Sequence, residues 1–319
     1  ISKLLKRILE GIRLTNIRKI LVVGLDQAGK TSILNILTNK FNLMDNLKPT
    51  AGIERTEIQV LGIPILSWDL GGQDLYRAGY LKDFKIFTDT DSLFYVVDGI
   101  NAKRYDEALQ YYSDILNIFK KLDAKPKIVL CIHKIDPNIR NNPNTQHLID
   151  NLQRVFQARS GDFEITTFVT SIYDRKSIIE SFSRNFQELI VSLKPFKKLL
   201  ETLVRQAGLD GLVLFDENLM ILSEFYRDMD CEQNCLNMTY NSVYYMSQSN
   251  PQMMDGNFAK NFEFILNLKN KQKRFNFVEV QFKDWRLYLL TIGDKKLDSS
   301  DLATKFNAMV KNFSISDMD

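Results

Sequence analysis

The segment from Gly24 to Thr31 constrains the fold of this chain more than any other feature. It reads Gly-Leu-Asp-Gln-Ala-Gly-Lys-Thr and fits the pattern G-x-x-x-x-G-K-[ST], with an apolar run before it and a helical pattern after it. A glycine-containing turn between a strand and a helix lets backbone N–H groups approach a phosphate closely, and the helix N-terminus adds its positive dipole. The motif therefore predicts a triphosphate site at the end of a buried strand.

The side chains at the end of this loop indicate how it would bind phosphate. Lys30 would neutralise the charge of the β- and γ-phosphates, and Thr31 would offer its hydroxyl to Mg²⁺, which prefers six oxygen ligands. The loop alone does not separate ATP from GTP. We expect the nucleotide to contact a continuous run of residues, namely Asp26, Gln27, Ala28, Gly29, Lys30, Thr31 and Ser32.

A second motif, Trp-Asp-Leu-Gly-Gly-Gln at residues 68–73, ends the third candidate strand. Asp69 can hold a magnesium-bound water, and Gly72 can present its backbone N–H to the γ-phosphate. Gln73 can orient the attacking water, which makes it the candidate catalytic residue.

The polar connection between these two motifs contains Lys-Pro-Thr-Ala-Gly at residues 48–52. Thr50 is the candidate for a hydroxyl that joins the magnesium shell only when a γ-phosphate is present, so that the segment would order and release with hydrolysis. The predicted magnesium ligands are therefore Thr31, Thr50 and, through water, Asp69.

Two further segments predict which base is bound. Asp136, in His133-Lys134-Ile135-Asp136, can accept hydrogen bonds from the ring N–H and the exocyclic amine of guanine, whereas adenine offers no such donor pair. The stem of Lys134 can lie along the base. A backbone N–H of the segment that contains Ser171 and Ile172 can bind the guanine oxygen. Guanine is the base that these residues favour.

Taken together, these motifs resemble the small GTPases, and more narrowly the Arf and Rag/Gtr branches. The sequences at 24–31, 49–52 and 68–74 resemble Arf, whereas His-Lys-Ile-Asp at 133–136 and Thr-Ser-Ile-Tyr-Asp at 170–174 resemble Rag. Most small GTPases have Asn where this chain has His133, and histidine there is typical of Rag proteins. The resemblance covers roughly residues 18–193, and it implies GTP or GDP together with Mg²⁺ as cofactors.

Apolar runs and helical patterns alternate over residues 20–193, which predicts an α/β domain with a mostly parallel six-stranded sheet. A short turn joins the second and third runs, so these should form an antiparallel hairpin. The predicted strands are Ile20–Gly24, Ile53–Val60, Ile63–Leu70, Ser92–Asp98, Ile128–His133 and Phe163–Thr170. The predicted helices are Lys30–Leu37, Ala102–Leu122, Asn144–Ala158 and Lys176–Leu193.

The order of elements changes after Pro195, and it predicts an α+β domain with one antiparallel sheet. The predicted helices here are Phe196–Ala207, Glu232–Met246 and Ser300–Phe313. The predicted strands are Gly211–Asp216, Leu219–Tyr226, Phe262–Leu268, Phe275–Phe282 and Trp285–Ile292. We therefore divide the chain into an N-terminal helix (1–17), a small GTPase domain (18–194) and a second domain (195–319).

By its element order and placement, the second domain resembles the roadblock or longin-like domain that follows the GTPase in Rag proteins. The resemblance implies a dimer with a Rag-like GTPase through this domain, docking to a roadblock-type scaffold at an endomembrane, and regulation by activating and exchange proteins. Whether the dimer is homomeric or heteromeric stays open.

Residues 1–17 form an amphipathic pattern, with Ile1, Leu4, Leu5, Ile8 and Leu9 on one face and basic residues on the other. Two interpretations stay open: a helix on a membrane surface that uses anionic lipid, and a helix docked on protein with a solvated basic face.

Composition excludes several function classes. The net charge of +3 is too small to imply binding to nucleic acid. Three cysteines cannot form a disulfide framework, which favours a cytoplasmic protein. The protein would be peripheral to a membrane if the N-terminal helix binds one.

The leading hypothesis is a slow GTP hydrolase that acts as a switch and needs an outside protein for fast turnover, since the phosphate loop contains no arginine. The alternatives are a nucleotide-bound dimerising scaffold with negligible turnover and, disfavoured by Gln73 and Asp136, an ATP-using enzyme.

Overall fold

The structure is a computed structural model that describes residues 18–37, 50–60, 63–190, 193–216, 219–249, 261–268, 271–282 and 285–310. The amphipathic pattern at residues 1–17, together with Lys48 and Pro49, lies outside the described residues. The chain divides into two compact units, Ile1–Ser181 and Phe182–Asp319. The division falls N-terminal to Pro195, where the change of pattern had placed the domain boundary.

The first unit contains the mostly parallel six-stranded sheet that the sequence predicts. Its strands are β1 (Arg18–Val23), β2 (Ile53–Val60), β3 (Ile63–Leu70), β4 (Ser92–Asp98), β5 (Lys127–His133) and β6 (Ile165–Thr170). Their order is β2-β3-β1-β4-β5-β6, and only the β2–β3 hairpin is antiparallel. The central strands are continuously apolar and buried, as strands covered on both faces must be.

Because β1, β3, β4, β5 and β6 are parallel, their carboxyl ends lie at one edge of the sheet. The phosphate loop follows β1, the segment 71–73 follows β3, and the segments 134–136 and 171–174 follow β5 and β6. β1 is flanked by β3 on one side and β4 on the other, which is where an open α/β sheet forms its ligand crevice. The topology therefore places these four segments at the same edge of the sheet.

Among the described residues up to 190, the helices are α1 (Lys30–Leu37), α2 (Asp74–Tyr80), α3 (Tyr105–Lys121), α4 (Pro137–Arg140), α5 (Pro143–Ser160) and α6 (Arg175–Leu189). The short helices α2 and α4 were not predicted. α3 begins later than expected because residues 102–104 form a 3₁₀ turn, and α6 ends at Leu189 and not at Leu193. The division between the two units lies within α6.

An aromatic cluster fixes α3 against the sheet. The ring centroid of Tyr95 on β4 lies 5.0 Å from that of Tyr112 on α3 and 5.8 Å from that of Phe156 on α5. The Tyr95 hydroxyl donates to the Ala108 carbonyl at 2.6 Å, and the hydroxyls of Tyr112 and Ser160 are 2.6 Å apart. These contacts hold the N-terminus of α3 at the edge of the sheet that carries the nucleotide motifs.

The second unit contains the predicted antiparallel sheet, in the order β8-β7-β11-β10-β9. Its strands are β7 (Gly211–Phe215), β8 (Ile221–Tyr226), β9 (Asn261–Leu268), β10 (Lys271–Phe282) and β11 (Trp285–Gly293). Its further helices are α7 (Lys194–Ala207), α8 (Met229–Ser249) and α9 (Ser299–Val310).

Two boundaries in the second unit differ from the sequence prediction for clear reasons. β8 starts at Ile221 and not at Leu219, because Leu219 adopts a left-handed turn conformation with φ of 65°. α7 starts at Lys194 and not at Phe196, because Pro195 fits in the first turn of a helix. Its missing N–H leaves no hydrogen bond unmade there. No helix among the described residues has the length and apolar character needed to cross a membrane.

Candidate functional site

A cavity of about 350 Å³ opens at the carboxyl edge of the parallel sheet. It brings together residues from three predicted motifs and from the segment that follows β5. They are Asp26, Gln27, Gly29, Lys30, Thr31, Ser32, Thr50, Gly72, Gln73 and Lys134. All ten were predicted as nucleotide, metal or catalytic residues, and the fold gathers them on one surface.

The phosphate loop holds Lys30 at the base of this cavity. The Lys30 ammonium donates to the carbonyls of Gly24 and Leu25 at 3.2 and 2.8 Å, and the side chain is buried. Burial lowers the pKa of Lys30 to about 8, although Asp69 and Asp26 act in the opposite direction. A phosphate bound beside this ammonium would stabilise its charged form, because the anion would offset the free-energy cost of burying the charge.

His133 lies behind the phosphate loop and does not line the cavity. A Cβ at Gly29, where φ is 99°, would lie 2.4 Å from Cδ2 of His133, so only glycine lets the loop rest on this ring. The His133 Nδ1 is 3.0 Å from the Thr170 hydroxyl at the end of β6. Burial lowers the pKa of His133 to about 4, so the ring is neutral near pH 7. The geometry favours a supporting role beneath the loop over a contact with the base.

Three oxygen-bearing side chains converge beside the loop. The Thr31 hydroxyl donates to Asp69 Oδ2 at 2.6 Å, the Thr50 hydroxyl donates to the same oxygen at 3.1 Å, and the two hydroxyls are 2.8 Å apart. Burial raises the pKa of Asp69, while the hydrogen bonds from Thr31 and Thr50 lower it. Its Oδ1 is buried and has no hydrogen-bond partner among the described residues. Hydroxyl and carboxylate oxygens of this kind fit the donor set that Mg²⁺ prefers.

The segments around Thr50 and Gln73 are joined to each other and to the phosphate loop. The Gly71 N–H donates to the Gly52 carbonyl at 2.9 Å, and the Asp26 N–H donates to the Gly72 carbonyl at 3.0 Å. A Cβ at Gly72 would lie 2.1 Å from the Asp26 nitrogen, so the close approach requires glycine there. Gln73 is exposed in extended backbone just before α2 and lines the cavity. The structure thus brings together Gly72, Gln73 and the phosphate loop.

The candidate base residues lie beyond β5 and β6. The Ser171 hydroxyl donates to Asp136 Oδ1 at 2.5 Å, and the Lys134 ammonium donates to Asp98 Oδ2 at 2.8 Å. The Ser171 N–H donates to the Ser177 hydroxyl at 3.1 Å, which makes the N–H of Ile172 the better candidate for a base oxygen. Asp136 and Ser171 are therefore in contact, although neither is among the residues that line the cavity.

Comparison with known proteins identifies the family. Residues 19–246 match the family description "Gtr1/RagA G protein conserved region", which is well over half of the chain. The chain belongs to the Gtr1/RagA G-protein family. The predicted membership of the Rag/Gtr branch is thereby confirmed, while the roadblock-like character of the second unit stays a prediction.

Two curated relatives share just over a quarter of their aligned residues with this Gtr1/RagA-family protein. It is 27% identical to Ras-related GTP-binding protein A of Dictyostelium discoideum over 63% of this chain and 67% of that one. It is 28% identical to Ras-related GTP-binding protein C of Mus musculus over 65% of this chain and 52% of that one, so it matches about half the length of this relative. A solved structure of the Arl6 BBS3 small GTPase from Trypanosoma brucei covers 54% of this chain and 97% of its own, with 16% identity and a TM-score of 0.43.

Sequence reasoning missed two charged residues at the edge of the candidate nucleotide site. Arg104, just before α3, donates to both the carboxylate and the carbonyl of Asp26, and Asp98 at the end of β4 holds Lys134. A charged residue before a helix, like Arg104, or at the end of a strand, like Asp98, is ordinary on a protein surface, so neither residue carries a motif. The segment after β4 could have been flagged only by its position at the carboxyl edge of the sheet.

Proposed function

We propose that this Gtr1/RagA-family protein is a GTP/GDP switch that binds Mg²⁺ and hydrolyses GTP slowly. The observation that carries the proposal is that Thr50 and Gln73, from two separate segments, line one cavity with the phosphate loop. The Gly71–Gly52 hydrogen bond joins these segments, so a movement of one would disturb the other. Both segments would contact the γ-phosphate side of a nucleotide, and both would lose contacts when that phosphate leaves.

The proposed roles follow from position. Lys30 binds the β- and γ-phosphates, Gly72 offers its N–H to the γ-phosphate, and Gln73 orients the attacking water. Thr31, Thr50 and Asp69 would hold Mg²⁺, directly or through water, and the ion supplies positive charge that offsets the phosphates. Asp136 and Lys134 would hold guanine.

Slow turnover is proposed because two arginines near the cavity, in the part of the chain that the structure describes, already have carboxylate partners. Arg104 contacts Asp26 and Glu107, while Arg77 contacts Glu107 and Asp74. Neither is therefore placed to stabilise the charge that develops on a transferred phosphoryl group. An activating protein would supply that charge.

Gln73→Leu is the experiment that tests this proposal. The variant should bind GTP as the wild type does but hydrolyse it at least about tenfold more slowly, since the residue orients water and adds little to ground-state affinity. Phosphate release in a single turnover, followed for hours after GTP loading, measures the rate. Gln153→Leu, the same substitution at an exposed position of α5, is the matched control. An unchanged rate in Gln73→Leu would leave the dimerising scaffold as the better function.

We also propose that the second unit pairs two Rag-like chains. Its sheet ends on one side at β9, an edge strand within the described residues, where Ile265 is 42% exposed. An exposed edge with an apolar side chain is a surface that invites pairing. Light scattering of the full chain at tens of micromolar should give about twice the monomer mass, and Ile265→Lys should lower it because a buried charge at a contact is costly. A wild-type mass equal to one 37.1 kDa chain would contradict self-pairing.

A further inference from the structure

A chain of charged side chains runs from the phosphate loop to the helix that follows Gln73. It consists of Asp26, Arg104, Glu107 and Arg77, and Asp74 contacts its far end. We call these five residues the ion network. All of them lie in the first unit, on the phosphate loop, α2 and the N-terminal end of α3.

The first link fixes the phosphate loop. Arg104 Nη2 donates to Asp26 Oδ1 at 2.7 Å, and Arg104 Nη1 donates to the Asp26 carbonyl at 3.1 Å. One guanidinium therefore holds the side chain and the backbone of the same loop residue, next to the Asp26–Gly72 backbone contact. It also neutralises a carboxylate that would otherwise repel a phosphate.

The second link fixes Arg104 itself. Its Nε donates to Glu107 Oε2 at 2.9 Å and its Nη2 donates to Glu107 Oε1 at 3.2 Å, which is a bidentate pair within one helical turn. The hydrogen bonds from Arg104 lower the pKa of Glu107, and those from Arg77 act in the same direction. Glu107 is thus ionised near pH 7, and its carboxylate forms ion pairs with both Arg104 and Arg77.

The third link reaches α2. Arg77 donates to Glu107 and Asp74, its guanidinium carbon lies 5.1 Å from the centroid of the Tyr111 ring, and its side chain is only 11% exposed. The Arg77 N–H also donates to the Gln73 carbonyl at 3.0 Å. This is the ordinary i→i−4 bond of the first turn of α2, so the ion pairs of the Arg77 side chain act on Gln73 by fixing the helical turn that Gln73 begins.

The alternative is that these are surface ion pairs with little effect on stability or on the geometry of the site. Exposed ion pairs contribute about 0–1 kcal/mol to the stability of a protein. The burial of Arg77 and the shared use of Glu107 argue against this. A network that joins the phosphate loop to the first turn of α2, which begins at Gln73, is placed to set the distance between the loop and Gln73. Small displacements at a reacting centre have large effects on rate.

We propose that Glu107 and Arg77 are positioning residues for GTP hydrolysis, which hold Gln73 at a fixed place relative to the phosphate loop through Arg104 and Asp26. The inference rests on the proposed role of Gln73 and deepens it. The N-terminal end of α3 would then take part in the chemical step by positioning Gln73. A partner that binds at the contact between α3 and α2 would change the rate of hydrolysis.

Glu107→Gln tests the inference, because it removes the charge while keeping an acceptor for Arg104. The single-turnover rate of GTP hydrolysis should fall about five- to tenfold, within the range by which residues in such networks alter coupling. The dissociation constants for GTP and GDP should stay within about threefold of the wild type, because the phosphate contacts remain. Arg77→Gln, which breaks the same chain from α2, should give the same result. Glu164→Gln, which removes a carboxylate 3.9 Å from Lys127 at the opposite edge of the sheet, is the matched control.

A double substitution separates positioning from general destabilisation. If Glu107 acts through Gln73, adding Glu107→Gln to Gln73→Leu should slow hydrolysis no further, because the group being positioned is already gone. Additive losses, a wild-type rate in both single variants, or a loss of nucleotide affinity in place of rate would overturn the inference. Failure of Gln73→Leu itself to slow hydrolysis would instead count against the proposed function, so the two failures are distinguishable.

Discussion

Asp136→Asn is expected to weaken GTP binding by at least about 100-fold and to shift the preferred nucleotide to xanthosine triphosphate. The wrong base would leave the Asp136 oxygen that Ser171 does not contact without a donor, and an unpaired charged acceptor in a closed site costs about 1–3 kcal/mol or more. The Ser171 hydroxyl donates to one carboxylate oxygen at 2.5 Å and so fixes its orientation. Although Asp136 occupies the N-cap position of α4, its side chain makes no capping hydrogen bond within the described residues of that helix.

Competition binding of GTP, ATP and xanthosine triphosphate to the wild type and the variant measures this change. Xanthine carries a carbonyl where guanine carries an amine, so the amide of the variant can donate to it. Asp150→Asn, the same substitution at an exposed position of α5, controls for the loss of a charge. A wild type that binds GTP and ATP within tenfold of each other would contradict the assignment of guanine.

The parallel sheet and the convergence of the candidate phosphate-binding residues were predictable because they depend on local signals. β-branched and apolar runs such as Ile20–Val23 specify buried strands, and the glycines of the phosphate loop specify a backbone that only glycine allows. Once these strands are parallel, the motifs that follow them must meet at one edge. The order of strands and motifs along the sequence was therefore enough to predict most of the residues that line the cavity.

The elements that escaped prediction depend on tertiary contacts. α2 has glycine at position 79 and little apolar periodicity, and its formation depends on the buried ring of Tyr80, whose hydroxyl donates to the Gly52 carbonyl at 2.6 Å. Arg104 and Asp26 are separated by 78 residues, so nothing local marks them as partners. Likewise, the placement of His133 behind Gly29 follows from packing of the loop on β5, which the motif does not specify.

Thr31→Val is expected to remove most of the dependence of GTP binding on Mg²⁺. The substitution keeps the shape of the side chain but deletes the hydroxyl, which lies 2.6 Å from Asp69 Oδ2 and 2.8 Å from the Thr50 hydroxyl. Loss of a group that contacts a metal or orients its ligands typically costs about 10–100-fold in metal affinity. The ratio of GTP dissociation constants measured in EDTA and in millimolar Mg²⁺ should therefore fall by at least about tenfold.

Thr31→Ser is the matched control for this prediction, because serine keeps the hydroxyl at the same position. It should preserve the dependence on Mg²⁺, whereas a general loosening of α1 would affect both variants alike. Equal ratios in the wild type and Thr31→Val would show that the converging oxygens of Thr31, Thr50 and Asp69 do not hold the ion. Their hydrogen bonds would then serve only to fix the segment around Thr50 against β3, and the buried Oδ1 of Asp69 would need another partner.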